Sequence, residues 1–331
     1  MFRKALTFTL ALGLLWFGGC SKSDRENGSV SSGTPIDLEK KTVAILVQTT
    51  ANPFFNDFAE AARAELGEDY DVVIVGGDND ADTQAKQIRD FIVQGVDALL
   101  ITPCNANAVG TQIREANRAR IPVFTADTAV LDENVDILCH VATDNYGGGK
   151  LAGQAMLEAL NHRGGKIMVL HFEQAQSCQA RVQGFTEVIN AHNADPDNRD
   201  AQITIIGEYE SMALEKPAYD ITTDVLKANR DLVGVFAIND PAALGAVKAI
   251  EEDNLQDQIK VIGFDGQKIG KLAIRDGRIF ADPVQYPEQM GQKVAAHIKD
   301  YFRGIAPPKL EEIPAKLYYK ADADQDPDLV E

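Results

Sequence analysis

Short polar side chains follow almost every strand that the sequence predicts. They are Asn52, Asp78, Asn79, Asp127, Thr128, Asp144, Asn145, Asn239, Asp240, Asp265 and Gln285. Carboxylates and amides suit a polyhydroxylated molecule, because planar polar groups hydrogen-bond two adjacent hydroxyls at once. Helix capping is the competing explanation, sufficient for Asp144 and a possible one for Asp78. It accounts poorly for Asp127 and Gln285, since no clear helix start follows either residue.

Two adjacent aromatic residues, Phe54 and Phe55, stand behind Asn52-Pro53 at the first strand-to-helix junction. Neighbours on a helix point about 100° apart, so one core face cannot easily take both rings. A flat apolar ring is a suitable partner for the apolar face of a sugar. We expect one ring to cover the core and the other to lie against a ligand; simple packing of both is the alternative.

Strands and helices alternate along most of the chain. Apolar runs predict strands at 42–48, 70–77, 98–103, 122–127, 136–144, 166–172, 203–209, 234–239, 260–264 and 278–285. Amphipathic segments predict helices at 55–66, 83–94, 106–119, 147–161, 179–191, 218–228, 241–252, 268–276 and 287–303. This order indicates an α/β fold with two doubly wound parallel-sheet domains, because ten parallel strands in one sheet would be unusual. The binding crevice of such sheets lies beyond the carboxyl ends of the strands.

Composition indicates a globular protein and argues against nucleic-acid binding. The 331 residues are 45% hydrophobic and 25% charged, which is enough for two hydrophobic cores. The formal net charge is -18 and no Lys/Arg run occurs, so the sequence predicts no nucleic-acid binding.

The N-terminus predicts export. Arg3 and Lys4 precede an apolar stretch and then Gly18, Gly19 and Cys20, which is typical of a bacterial lipoprotein signal. We therefore predict a signal peptide at 1–19, lipidation at Cys20, a flexible tether at 20–40 and a location in the cell envelope. A plain signal peptide with a chance cysteine is the alternative.

The sequence predicts no catalytic residue, no metal and no cofactor. Cys104, Cys139 and Cys178 lack metal-ligand spacing, and buried unpaired thiols are favoured over one disulfide. A nucleophile pair of Cys178 with His171 would lack an orienting third group. The run "YGGGKLAG" has dinucleotide-motif spacing but does not open directly from a strand end. Two acidic runs, "DNDAD" and "DADQDPD", lack the glycine and the final glutamate of a calcium loop.

Several motifs in order resemble the ribose-binding-protein branch of the periplasmic sugar-binding proteins, from about Thr42 to Leu317. They are "NPFF", "NANAVG", "IPVFTAD", "ATDNYGGGKLAG", "RVQGF", "VFAINDPAALGAVKAI", "VIGFDG" and "DPVQYPEQMG". The resemblance implies two α/β domains that are joined by three hinge strands and close on a sugar. It also implies a set of ligand contacts: Asn52, Phe54, Phe55, Asp127, Arg181, Asn239, Asp265 and Gln285.

The chain departs from this family at two places. Thr128 stands where ribose binders have an arginine, and it offers the ligand one short hydroxyl instead of a forked guanidinium. The loop after the strand at 203–209 carries Met212 and Ala213 where the family places an aromatic residue. We therefore expect a ligand other than ribose.

We predict a substrate-binding lipoprotein, not an enzyme, that passes a neutral pentose, hexose or polyol to the membrane subunits of an ABC permease. The expected domains are 41–143 plus 286–315 and 144–285 plus 316–331, in a monomer held at the membrane by its lipid anchor. The alternative is a sugar sensor that presents its closed form to a membrane receptor.

Overall fold

Strands and helices alternate along the residues that the computed structural model describes, 40–329. The strands are β1 (Lys41–Val47), β2 (Tyr70–Gly76), β3 (Ala98–Ile101), β4 (Val123–Ala126), β5 (Cys139–Thr143), β6 (Gly165–His171), β7 (Ile203–Glu210), β8 (Leu232–Ala237), β9 (Lys260–Ile262), β10 (Ala281–Val284), β11 (Leu310–Ile313) and β12 (Lys316–Tyr319). The helices are α1 (Pro53–Leu66), α2 (Ala81–Gln94), α3 (Gly110–Arg118), α4 (Asn145–Ala159), α5 (Gln176–Ala194), α6 (Glu215–Ala228), α7 (Asp240–Glu252), α8 (Lys268–Arg275), α9 (Pro287–Phe302) and α10 (Lys320–Ala323).

The strands form two six-stranded sheets. The first has the order β11-β5-β4-β3-β1-β2, and all of its neighbouring strands are parallel. The second has the order β12-β10-β9-β8-β6-β7, and in it β12 alone runs antiparallel to its neighbour. The predicted α/β class with two doubly wound sheets is confirmed. No helix within residues 40–329 has the length and apolar character needed to cross a membrane.

Both faces of the first sheet are covered, as the unbroken apolar character of β1 predicts. Val43 and Ile45 enter a cluster with side chains of α1 and α9, whereas Ala44 and Leu46 enter a second cluster with side chains of α2 and α3. α9 lies very close to α1, since a Cβ at Gly291 would stand 2.2 Å from the carbonyl oxygen of Phe58.

In the second sheet's helical layer, α4 packs tightly on α5. A Cβ at Gly149 would lie 2.1 Å from the carbonyl oxygen of Arg181, so only glycine permits this approach. The glycine-rich run "YGGGKLAG" therefore has a packing role here.

The chain crosses from one sheet to the other three times: between β5 and α4, between β10 and α9, and between β11 and β12. These connections are the three hinge segments that the family resemblance implies. The residue boundaries of the two domains stay a prediction. The predicted signal peptide, Cys20 and the tether up to residue 39 lie outside the described residues, as do the last two residues of the second domain.

Most predicted elements are present with ends shifted by a few residues. The helix predicted at 106–119 begins only at Gly110, because the Asn105 side chain first closes a turn by accepting from the amides of Asn107 and Ala108. The predictions did not include β11, β12 and α10, the short elements at the end of the chain.

Candidate ligand-binding site

A cavity of about 500 Å³ lies where the carboxyl ends of both sheets face each other. Eight of the nine predicted ligand-binding residues line it: Asn52, Phe54, Phe55, Asp127, Arg181, Asn239, Asp265 and Gln285. The ninth, Thr128, is 1% exposed and is absent from the lining. A depression of about 630 Å³ between α5 and β7 receives none of these strand ends. The structure thus brings eight residues to one cavity, while their contact with a ligand stays a prediction.

Phe54 and Phe55 are both buried and both line the cavity. The rings are 3% and 6% exposed and meet edge to face, with their centroids 5.2 Å apart. Both also belong to the core cluster beneath α1. Because α1 begins at the cavity wall, core and cavity adjoin there, and each ring contributes to both. Contact of either ring with a ligand stays a prediction.

Two asparagines of the site cap helices as well as line the cavity. Oδ1 of Asn52 accepts from the amide of Phe54 at the start of α1, and Oδ1 of Asn239 accepts from the amide of Ala242 in α7. The Asn239 amide also donates to the carbonyl of Ala213 at 3.0 Å. These bonds fix the orientation of both side chains and leave the Nδ2 group of Asn52 for another partner.

Helix capping explains one of two other strand-end residues, Asp144, but not Asp78. Asp144 caps α4 through the amide of Gly147, as predicted. Asp78 does not cap a helix, because it lies in a left-handed turn with φ 54° and α2 is capped by Asp80 instead. The capping explanation for Asp78 is therefore wrong.

Asp127 follows β4 with a φ of 63°, a left-handed conformation that L-residues rarely adopt and that is often found at binding sites. Its Oδ2 accepts from the hydroxyl of Thr128 at 3.3 Å, and that hydroxyl accepts from the Gln48 amide at 3.0 Å. Burial raises the pKa of Asp127, and the nearby charge of Arg181 opposes that rise. Thr128 thus acts behind the cavity wall, where it connects two lining side chains.

Arg181 is fixed on three sides. Its Nε donates to Oδ1 of Asn145 at 2.8 Å, and its Nη1 donates to the carbonyl of Ile238 at 2.7 Å and to Oδ1 of Asp265 at 3.0 Å. The guanidinium also lies 3.9 Å from the ring centre of Phe264. Its Nη2 donates to no residue in the described part of the chain, so it is available to a ligand in the cavity.

Five buried residues, three of which line the cavity, form a closed ring of hydrogen bonds, here called the hinge ring. Thr143 donates to Gln285 at 2.7 Å, and Gln285 donates to Oδ1 of Asp265 at 2.5 Å. Arg181 joins Asp265 to Asn145, whose amide donates to the carbonyl of Thr143 at 2.9 Å. Burial raises the pKa of Asp265 to about 6, against the opposing effects of Arg181 and Gln285. Through Thr143 the ring connects β5 of the first sheet to Asn145, Arg181, Asp265 and Gln285, which lie in the predicted second domain.

Comparison with known proteins shows the family. A family model described as "periplasmic binding protein domain" matches residues 43–306. The chain belongs to the periplasmic binding protein domain family. The ribose import binding protein of Salmonella typhimurium is 30% identical over 258 residues, 77% of this chain and 83% of that protein. The ribose import binding protein of Bacillus subtilis is 30% identical over 317 residues, 95% of this chain and 98% of that protein.

A solved structure agrees with this family membership. An ABC transporter solute binding protein from Agrobacterium vitis, solved with bound D-fucose, is 28% identical to this chain. The likeness has a TM-score of 0.78 and covers 87% of this chain and 98% of that one. The resemblance to periplasmic binding proteins drawn from the motifs is confirmed.

Sequence reasoning missed several lining residues of this periplasmic binding protein. They are Gln48, Phe172, Ser177, Cys178, Leu214, Glu215 and Ile269, among others. Gln48 is the last residue of the first predicted strand, and a polar residue at the end of an apolar run is a usable signal. Phe172 supplies a third aromatic side chain at the carboxyl end of β6, whereas Tyr209 packs against the core of the second domain.

The three cysteines within residues 40–329 are unpaired. Cys104, Cys139 and Cys178 are free and buried, and burial raises the pKa of each thiol to about 12. Burial also lowers the pKa of His171, and no hydrogen bond joins this residue to Cys178. Within residues 40–329, no group of three or more His, Cys, Asp or Glu side chains is placed to hold a metal ion.

Two carboxyl groups lie against each other behind the cavity. Asp240 at the start of α7 and Asp282 in β10 are completely buried. Oδ2 of Asp240 accepts from the amide of Gln267 at 2.7 Å, but Oδ1 of Asp240 and both oxygens of Asp282 lack an ordinary donor. Burial raises the pKa of Asp282 to about 6, and burial with the Asp282 charge raises that of Asp240 well above its usual range. Such a pair is stable when one proton lies between the two groups.

Proposed function

We propose that this protein binds a monosaccharide or a polyol in the cavity and delivers it to an ABC permease, without turnover. The observation that carries the proposal is the cavity itself, in which donors and acceptors converge with aromatic side chains at the ends of two parallel sheets. Names of relatives support it: two are called ribose import binding proteins, and a structural relative was solved with D-fucose.

The chemistry of the cavity wall suits hydroxyl groups. Arg181 supplies a free donor at Nη2, whereas Asp127 and Asp265 each keep an oxygen without a donor from the described residues. A hydroxyl both donates and accepts, so such a mixed wall can satisfy several hydroxyls at once. The rings of Phe54 and Phe55 offer the apolar surface that one face of a sugar ring needs.

Closure of the two domains is the proposed mechanism of capture. The proposed domains, 41–143 plus 286–315 and 144–285 plus 316–331, meet across the cavity rim through two hydrogen bonds. Gln267 donates to Oδ1 of Asn52 at 2.5 Å, and Asn105 donates to Gln174 at 3.5 Å. A ligand that contacts both domains adds to these bonds only in the closed form, so it shifts the population towards closure.

Anchoring and location complete the proposal. Lipidation at Cys20 would hold the mature protein at the membrane, and the tether would let the binding domains reach a permease. No observation on the described residues favours the alternative of a sugar sensor over transport.

A ligand panel tests the proposal. Aldopentoses, hexoses, polyols and amino acids are added to soluble protein that starts near Ser21, and melting is followed with a dye. A true ligand at 100- to 1,000-fold over its Kd should stabilise the protein by roughly 2–4 kcal/mol. Stabilisation by amino acids alone, with no effect of any carbohydrate, would show that the assignment is wrong. Calorimetry with the best ligand then gives the affinity, and chromatography of the ligand after incubation shows whether it is recovered unchanged.

A further inference from the structure

The charges on the cavity wall do not balance. Among the lining residues the acids are Asp127, Glu215 and Asp265, and the single base is Arg181. Arg181 is already committed to Asp265 at 3.0 Å. Asp127 therefore has no cation of its own in the described residues, although Arg181 is near enough to influence it. The inner wall has an excess of negative charge.

Asp127 is also short of hydrogen-bond donors. The residue is 6% exposed and lines the cavity. Its Oδ2 receives a single bond, from Thr128 at 3.3 Å, and its Oδ1 receives none from the described residues. A buried carboxylate without partners is costly, so this one is suited to a donor or a positive charge that a ligand brings.

The neighbouring hydrogen bonds make this corner of the cavity rich in acceptors. An ionised Asp127 can only accept, so the Thr128 hydroxyl must donate its one proton to it. The same hydroxyl must then accept from Nε2 of Gln48, as the 3.0 Å contact shows. That directs the donor end of Gln48 towards Thr128 and leaves its Oε1 without a donor from the described residues. Two acceptor oxygens, Oδ1 of Asp127 and Oε1 of Gln48, remain for the ligand.

We propose that the cavity selects a monosaccharide or polyol that carries a protonated amine, with the ammonium group held by Asp127 and Gln48. This rests on the proposed function and makes it more specific. An ammonium group has three donors and no acceptor, which matches acceptor oxygens better than a hydroxyl does. It also neutralises the excess charge, whereas a sugar acid or a sugar phosphate would increase it. The sequence predicted a neutral ligand. The pairing of Arg181 with Asp265, which leaves Asp127 without a cation, is visible only in the folded chain.

Matched pairs of ligands test this selectivity by calorimetry. D-glucosamine, D-galactosamine, D-mannosamine and D-glucamine are each compared with the neutral parent: D-glucose, D-galactose, D-mannose and D-sorbitol. The measurements are made at about pH 6.5, where such amines are protonated. We expect at least one amine to bind at least tenfold more tightly than its neutral parent, and its N-acetyl derivative to lose that advantage.

Two variants separate a local effect from the general negative charge of the protein. Asp127→Asn keeps the size of the side chain but removes its charge, and it should reduce the amine preference to threefold or less. Asp71→Asn removes an exposed charge on β2 and should leave the preference as in the wild type. The preference should also persist when salt is added, since buried charges are screened weakly.

The outcomes distinguish this inference from the proposed function. If neutral sugars bind and no amine binds more tightly, the selectivity is refuted and the proposed function stands. If the amine preference survives Asp127→Asn, the assignment to Asp127 is refuted. If no carbohydrate of either kind binds, the proposed function fails and this inference fails with it.

Discussion

Arg181 and Gln285 donate to the same oxygen, Oδ1 of Asp265, at 3.0 Å and 2.5 Å. One donor belongs to α5 of the second domain, and the other directly follows β10 at a crossing between the domains. Because all three side chains are buried, the carboxylate receives two strong donors without competition from water. The floor of the cavity and the connection between the domains are therefore one hydrogen-bonded structure.

Removing the guanidinium should weaken both folding and binding. Arg181→Met leaves Asp265 buried without its counter-charge, so we expect a loss of about 3–5 kcal/mol in the free energy of unfolding. The loss should be larger at alkaline pH than at acid pH, because a protonated Asp265 no longer needs the cation. Chemical denaturation of the ligand-free protein at several pH values measures it.

A double variant separates the two roles of Arg181. Arg181→Met combined with Asp265→Asn removes both charges and should recover a large part of the lost stability. Ligand affinity should stay low, since the Nη2 donor is still missing. Recovery of affinity in the double variant would contradict direct contact between Arg181 and the ligand.

The pair of Asp240 and Asp282 should make the protein less stable as the pH rises. Both pKa values are raised in the folded protein, so between about pH 4 and 6 the folded state binds more protons than the unfolded chain. The free energy of unfolding therefore falls as the pH increases through this range. Asp282→Asn should be nearly neutral at acid pH and should stabilise the protein by on the order of 2–3 kcal/mol near pH 8.

Melting temperatures of wild type and Asp282→Asn across this pH range measure the effect. Asp90→Asn, which changes an exposed carboxylate on α2, is the matched control and should follow the wild-type curve. Parallel curves for wild type and Asp282→Asn would show that the two carboxyl groups do not share a proton.

Thr128 should act on affinity through its two neighbours. Thr128→Val keeps the shape of the side chain but removes the hydroxyl between Gln48 and Asp127. With both of its hydrogen bonds lost, we expect the Kd of the best ligand to rise by about 5- to 30-fold, since each hydrogen bond contributes about 1 kcal/mol. Thr128→Ser retains the hydroxyl and should bind within about twofold of wild type; equal binding by both variants would assign Thr128 to packing.

Cys20 should determine attachment to the membrane. Cys20→Ala lacks the thiol that would carry the lipid, so the protein should move from the membrane fraction to the soluble fraction after cell disruption. Ligand affinity should not change, because the residues that line the cavity lie between Gln48 and Gln285. A variant that stays in the membrane fraction after high-salt washing would argue against a lipid anchor at this position.

The fold was predictable from sequence because its signals are local. The buried run in β1 and the capping residue Asp144 each act within a few positions, and the resulting helices and strands are present. β11 and β12 were missed since each is only four residues long and mixes polar with apolar side chains. Their assignment depends on which sheet edge accepts them, which is not a local property.

The site was predictable in its members but not in its connections. Asp127, Asp265 and Gln285 follow strands, so they could be expected at one crevice. The hinge ring joins Thr143 to Gln285, which are 142 residues apart, and no spacing in the sequence indicates that bond. Asp282 lies in a run that reads as an ordinary strand, and the sequence gives no sign that its partner is Asp240.

The three crossings of the chain also bear on when the domains acquire their structure. The face of the first sheet is completed by α9, whose Met290, Val294 and Ile298 belong to the core cluster beneath α1. One contact of this layer, from Lys299 to Glu65, spans 234 residues. Contacts of such long range close slowly, because a long loop must be ordered first. Each sheet takes five strands from one continuous stretch, β1–β5 or β6–β10, and its sixth strand, β11 or β12, from near the end of the chain. A chain that emerges with its N-terminus first therefore completes neither domain until it has been synthesised almost to its end, and the two domains finish folding late.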